Sequence, residues 1–141
     1  MTIPSPVQWS RFPGPPHYSP DEVPLAFAEL LAVTDEASSD AAYNRMLFAV
    51  GNNHAGPLYP ASVAAVYEVV RAALERTAWV RHCALNILIE MVCFAPEPGF
   101  EPFRTHDGRE VDVEAEIRKC VMAAVEAVNA IVLDQASLSG T

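Results

Sequence analysis

The sequence predicts an all-α domain of about five helices that pack as antiparallel pairs. Three observations carry this. Beyond residue 18, apolar side chains recur at spacings of three and four, the period of one helix face. No stretch alternates apolar and polar residues long enough to make a strand; the nearest, "REVDV" (Arg109 to Val113), is too short and too charged to matter. Only Arg76 and Thr77 separate two long helical runs, so those helices must lie side by side and antiparallel.

Residues 1–18 hold five of the twelve prolines and show no apolar period, which reads as an extended arm pinned by Trp9, Phe12 and Tyr18. The helical domain follows over 19–137. "SPDE" (Ser19 to Glu22) has the form of a capping box, with Pro20 at the first helical position. Pro24 removes an early helical hydrogen bond, which moves the expected regular helix to about Pro24 to Val33. A second helix is expected over Asp40 to Val50, with Ser39 as N-cap and Gly51 as its stop. The third occupies Pro60 to Glu75, with Val63, Val66, Tyr67, Val70 and Leu74 on one face.

The fourth, Ala78 to Phe94, is apolar almost all round. Its one polar line is His82, Asn86 and Glu90, so it should be the central element. Glu90 is expected to face solvent or to pair with an arginine such as Arg118. The fifth runs from Val113 to Asp134 behind Asp112 as N-cap, and residues 138–141 read as a disordered tail.

Between the second and third helices lies "VGNNHAGPLYPAS" (Val50 to Ser62). Gly51 ends a helix, Asn52 and Asn53 tolerate positive φ, Gly56-Pro57 makes a turn, and Pro60 suits a first helical turn. His54 alone lacks a structural task. No nucleophile or carboxylate stands near it, so corner and partner contact, through Asn53 and His54, are the readings that stand.

At 141 residues the chain is long enough for one domain with a sizeable core. Its longest apolar stretch, Trp79 to Phe94, is broken by Arg81, His82, Asn86 and Glu90, which excludes a membrane helix. The first residues have neither a basic nor an apolar leader region, so the cytoplasm is expected. Cys83, Cys93 and Cys120 lie in apolar helical runs and read as reduced core thiols.

The four histidines are scattered, and neither a His-x-x-x-His nor a Cys-x-x-Cys pair exists, so no metal site is expected. His82 and Cys83 point about 100° apart on their helix and cannot act together. Phosphate-binding glycine motifs are absent, so neither a cofactor nor an enzymatic activity is expected.

The net charge of -9 is concentrated in two places. Phe12 to Asn44 carries six acids and no lysine or arginine; Glu97 to Glu116 carries seven acids against Arg104 and Arg109. Such a surface repels nucleic acid and anionic membranes; it either attracts a basic protein or simply keeps a small chain soluble. The insertion over 95–111 sets Phe100 and Phe103 among acids. Either the rings anchor a partner, or they fold back over the end of the bundle. The residues expected to meet a partner are Glu97, Phe100, Glu101, Phe103, Asp107 and Glu110 in the insertion, Asn53 and His54 in the corner, and Asp35 and Glu36.

The helices also repeat. "VRHCALNILIEMV" from Val80 aligns with "IRKCVMAAVEAVN" from Ile117 at a period of 37 residues, and "NRMLFAV" places Arg45 36 residues before Arg81. Periods of this size mark solenoid repeats. "AWVRHCALNIL" resembles the second helix of a HEAT repeat. "HAGPLYPAS" resembles a segment of small bacterial HEAT-like proteins, several of which are immunity proteins of polymorphic toxin systems. The resemblance covers Ala41 to Asp134 and implies a short HEAT-like solenoid of about two and a half repeats. It further implies a non-catalytic, monomeric inhibitor whose partner is a cognate toxin, with a basic nuclease as the expected target. The alternative is a helical adaptor or scaffold that self-associates through its arm.

Overall fold

The computed structural model describes residues 7–51, 56–76, 78–104 and 108–138, the side chains of 135–138 excepted. It is all-α, with five helices: α1 (Glu22–Leu31), α2 (Glu36–Val50), α3 (Pro60–Glu75), α4 (Ala78–Val92) and α5 (Val113–Leu138). α1 packs against α2, and α3 against α4; α5 lies across α3 and α4. α4 touches all four other helices, the central place its apolar sequence predicts. Its Cys83, Ala84, Ile87 and Leu88 are fully buried. α3 buries Ala61, Ala64, Ala65 and Ala73, whose small side chains let neighbouring backbones come close.

The helix starts are set by local chemistry. α1 begins at Glu22, before Pro24 rather than at it, and ends at Leu31 rather than Val33. Pro24 sits in the first turn, where a missing N–H is harmless because no intrahelical acceptor exists for it. The N-cap is Asp21, without a side-chain cap bond, rather than Ser19, whose carbonyl accepts the Glu22 N–H at 3.0 Å. α2 begins four residues before the expected Asp40. Asp35 accepts the Ser38 N–H at 2.8 Å while the Ser38 hydroxyl accepts the Asp35 N–H at 3.1 Å, a reciprocal box. Ser39, expected as the cap, lies inside α2 and is buried. α5 has the expected Asp112 cap, whose carboxylate accepts the Ala115 N–H at 3.1 Å. It runs on past Asp134 to Leu138, the first residue of the expected tail; residues 139–141 lie outside the described residues.

Short strands do occur, contrary to expectation. β1 (Pro57–Leu58) pairs in parallel with β2 (Ala95–Pro96), and β3 (Phe103–Arg104) pairs antiparallel with β4 (Glu110–Val111), inside the segment dismissed as too charged. An Arg104–Glu110 ion pair at 3.0 Å and a buried Phe103 let that charged hairpin close.

The described part of the arm is packed down. Trp9 lies in a single 3₁₀ turn (Trp9–Arg11), is 5% exposed, and stacks on Phe27 of α1 at 5.8 Å. The Tyr18 hydroxyl donates to the Trp9 carbonyl at 2.8 Å. His17 stacks on Phe48 of α2 at 3.9 Å, and the Pro13 carbonyl accepts the Ala61 N–H of α3 at 3.0 Å.

The corner between α2 and α3 is knitted by Ser62. Its buried hydroxyl donates to the Val50 carbonyl at 2.6 Å and accepts the Tyr59 N–H at 3.0 Å. Ser62→Ala leaves both backbone groups unsatisfied, and a loss of about 2 kcal/mol is expected in urea unfolding. A midpoint equal to the parent's would show that the corner stands without this link.

Candidate partner-binding surfaces

The insertion folds back onto the bundle. Phe103 is 2% exposed and belongs to the core, so it is withdrawn as a partner contact. Phe100 is half-buried and meets Tyr59 edge-on at 5.4 Å. Glu97 donates its backbone N–H to the Leu58 carbonyl at 2.9 Å, and its carboxylate hydrogen-bonds Tyr59. Burial, reinforced by Glu97, pushes the Tyr59 phenol up. Glu101 is exposed, and Glu110 is exposed but paired with Arg104. Asn53, His54 and Asp107 lie outside the described residues. Asp35 is committed to capping α2: the hydrogen bonds from Ser38 hold its carboxyl below the usual range. Glu36 is exposed beside it. Of the expected residues that are described, Phe103 is taken up by the core and Asp35 by the α2 cap.

A polar cluster anchors the far side of the insertion. Glu116 of α5 is 8% exposed and accepts from the Tyr67 hydroxyl at 2.8 Å, Lys119 at 3.0 Å and Arg109 at 3.5 Å. Burial alone would raise its pKa, but the hydrogen bonds from Tyr67 and Lys119 and the charges of Lys119 and Arg109 outweigh it, so the net shift is downward. Burial likewise raises the Cys83 and Cys120 thiols, which keeps them protonated and unreactive. Because Glu116 titrates lower when folded, its stabilisation is complete above the unfolded carboxylate pKa and is lost as pH falls through the folded one. Glu116→Gln is therefore expected to shrink the loss of thermal stability between neutral pH and pH about 3, near and below the ordinary glutamate value. An acid limb as steep as the parent's would place the effect elsewhere.

A surface that sequence reasoning missed lies between α2 and α4. Asp40 and Tyr43 of α2 face Asn86, Ile89 and Glu90 of α4 across a groove of about 260 Å³. The Tyr43 hydroxyl bonds Glu90, and its phenol is pushed up to about 12, by burial first and then by the Glu90 charge. Glu90 thus pairs across the groove rather than with Arg118, which is exposed on α5. Among the described residues no cation pairs with Asp40 or Glu90. Ile89 stands 54% exposed between them. The available signal was Ile89 itself, three positions after Asn86 on the polar line of α4. Cys93, one turn beyond Ile89, is exposed rather than a core thiol.

The aligned arginines do not share one environment. Arg45 pairs with Glu29 at 2.8 Å and Glu22 at 3.1 Å, and Arg81 donates to the Ala73 carbonyl at 2.9 Å. Arg118 does neither. No helix among the described residues is long and apolar enough to cross a membrane. No known protein family, curated protein or solved structure matches the chain.

Proposed function

We propose that this chain is a non-catalytic, cytoplasmic immunity protein that neutralises a basic bacterial toxin by covering its working surface. The observation that carries the reading is the α2–α4 groove, where an exposed apolar side chain is framed by carboxylates without cationic partners. That is the layout of a contact patch for a basic partner. Ile89 supplies the desolvated centre, and Asp40 and Glu90 receive arginine or lysine and speed encounter. The resemblance of "AWVRHCALNIL" and "HAGPLYPAS" to HEAT-like immunity proteins supplies the biological class.

The test is a tagged pull-down from the native bacterium, with the captured protein identified and assayed for toxicity. A large partner with a basic toxic C-terminal domain is expected. Ile89→Asp with Asp40→Lys should weaken its binding by about thirtyfold or more, while Glu101→Lys with Glu110→Lys leaves it within a few fold. Recovery of the bait alone, with the toxin shown to be expressed, would overturn the reading.

One observation favours the scaffold alternative. On α5, Val132 and Leu133 are 49% and 69% exposed, an apolar end that a second copy could cover. Light scattering separates the two: a monomer at working concentration excludes self-assembly, and a dimer lost in Leu133→Asp supports it.

A further inference from the structure

A second cavity is lined by two arginines, in a chain that carries twice as many acids as lysines and arginines. It measures about 320 Å³ and lies where the arm meets the insertion. That volume is at the small end for organic ligands. Phe12 and Phe100 supply aromatic walls, Pro60 and Pro102 further apolar surface, and Arg11 and Arg104 its charge. Among the described residues no carboxylate lines it, in a chain whose net charge is -9.

The two arginines differ in a useful way. Arg104 is held in place, donating to the Gly108 carbonyl at 3.1 Å and to Glu110 at 3.0 Å. The Arg11 side chain is exposed, and its guanidinium has no hydrogen bond or ion pair among the described residues, the backbone N–H alone donating, to the Gln8 carbonyl at 2.9 Å. The walls are braced from behind: Tyr59 meets Phe100 edge-on, and the Pro13 carbonyl fastens the arm to α3 beside Pro60. The site is therefore apolar and braced, with one fixed cation and one free one.

We infer that this cavity binds an apolar ring or branched group bearing a carboxylate, the ring lying between Phe12 and Phe100 and the carboxylate meeting Arg11. A guanidinium can take a carboxylate through two parallel hydrogen bonds, and stacks on aromatic faces as well. The carboxylate belongs either to a free small acid or to the terminal residue of a peptide. This inference is independent of the toxin reading, because it involves other residues and the opposite charge.

The experiment is an NMR titration of the full chain with phenylacetate, with phenylacetamide as its neutral counterpart. The chain has two tryptophans, which serve as internal reporters. Trp9 shares the 3₁₀ turn of Arg11, so its indole signal should move with the amides of Arg11, Phe12 and Arg104. Trp79 lies on α4 and should stay still. The acid is expected to bind about tenfold more tightly than the amide, and Arg11→Gln to remove that preference. Arg11 is exposed, so the variant should keep the parent spectrum elsewhere.

A tripeptide ending in phenylalanine, compared with its C-terminal amide, distinguishes the sources. Tighter binding of the free-acid peptide than of phenylacetate assigns a chain terminus, and weaker binding assigns a small acid. Equal binding of acid and amide, no saturable shift, or shifts unchanged in Arg11→Gln would overturn the inference.

Discussion

Replacing Trp9 with alanine is expected to lower the unfolding free energy by about 3–5 kcal/mol, the range for truncating a buried aromatic. Trp9 is 5% exposed, stacks on Phe27, and offers its carbonyl to Tyr18, so it is the point at which the arm is sealed to α1. Its indole Nε1–H is buried with no acceptor among the described residues. A buried donor without a partner is itself unfavourable. Trp9→Phe loses ring area but also removes the orphan, so its expected cost is only about 1 kcal/mol. Urea unfolding of both variants checks this. Equal losses would mean that the indole N–H finds a partner in solution; a negligible loss for alanine would mean that the arm contributes nothing to the fold.

The second large effect is expected at Gly56. Its φ is +70°, and a Cβ placed there would lie 2.7 Å from the Phe94 ring. Gly56→Ala therefore adds left-handed strain of about 1–2 kcal/mol to an aromatic clash of about 1–3 kcal/mol. The Gly56 carbonyl also accepts the Ala95 N–H at 3.2 Å, so a displaced backbone disturbs the β1–β2 pairing. Gly99 provides the control, with φ +96° and nothing within 4 Å of its added Cβ. Gly99→Ala should show the conformational cost alone. If the two alanine variants lose equal stability, the Phe94 contact is not limiting.

Much of this architecture is legible in the residues. The bounds of α3, the Asp112 cap and the central role of α4 follow from periodicity and cap chemistry, all local signals. Other features depend on contacts between distant segments. Phe103 is an aromatic among acids until Arg104 and Glu110 pair and turn it inward. The early start of α2 was readable, since Asp35 and Ser38 have the spacing of a box; serine in place of glutamate at the third position obscures it. The α2–α4 groove required knowing that Tyr43 and Glu90 meet, which their separate helical patterns do not state. The repeat is legible as sequence, but the burial of its arginines is decided by what each helix packs against.

The arm touches α1 through Trp9, α2 through His17 and α3 through Pro13. It therefore bridges the α1–α2 and α3–α4 pairs near the start of the chain. Modular stacks of helix pairs can open from one end, pair by pair. Here the first pair cannot leave with the arm without freeing the Ala61 amide from Pro13, nor without the arm unless Trp9 unstacks from Phe27 and His17 from Phe48. In native-state hydrogen exchange the amides of α1 and the first turn of α3 should thus exchange as one cooperative unit, although about thirty residues of chain lie between them.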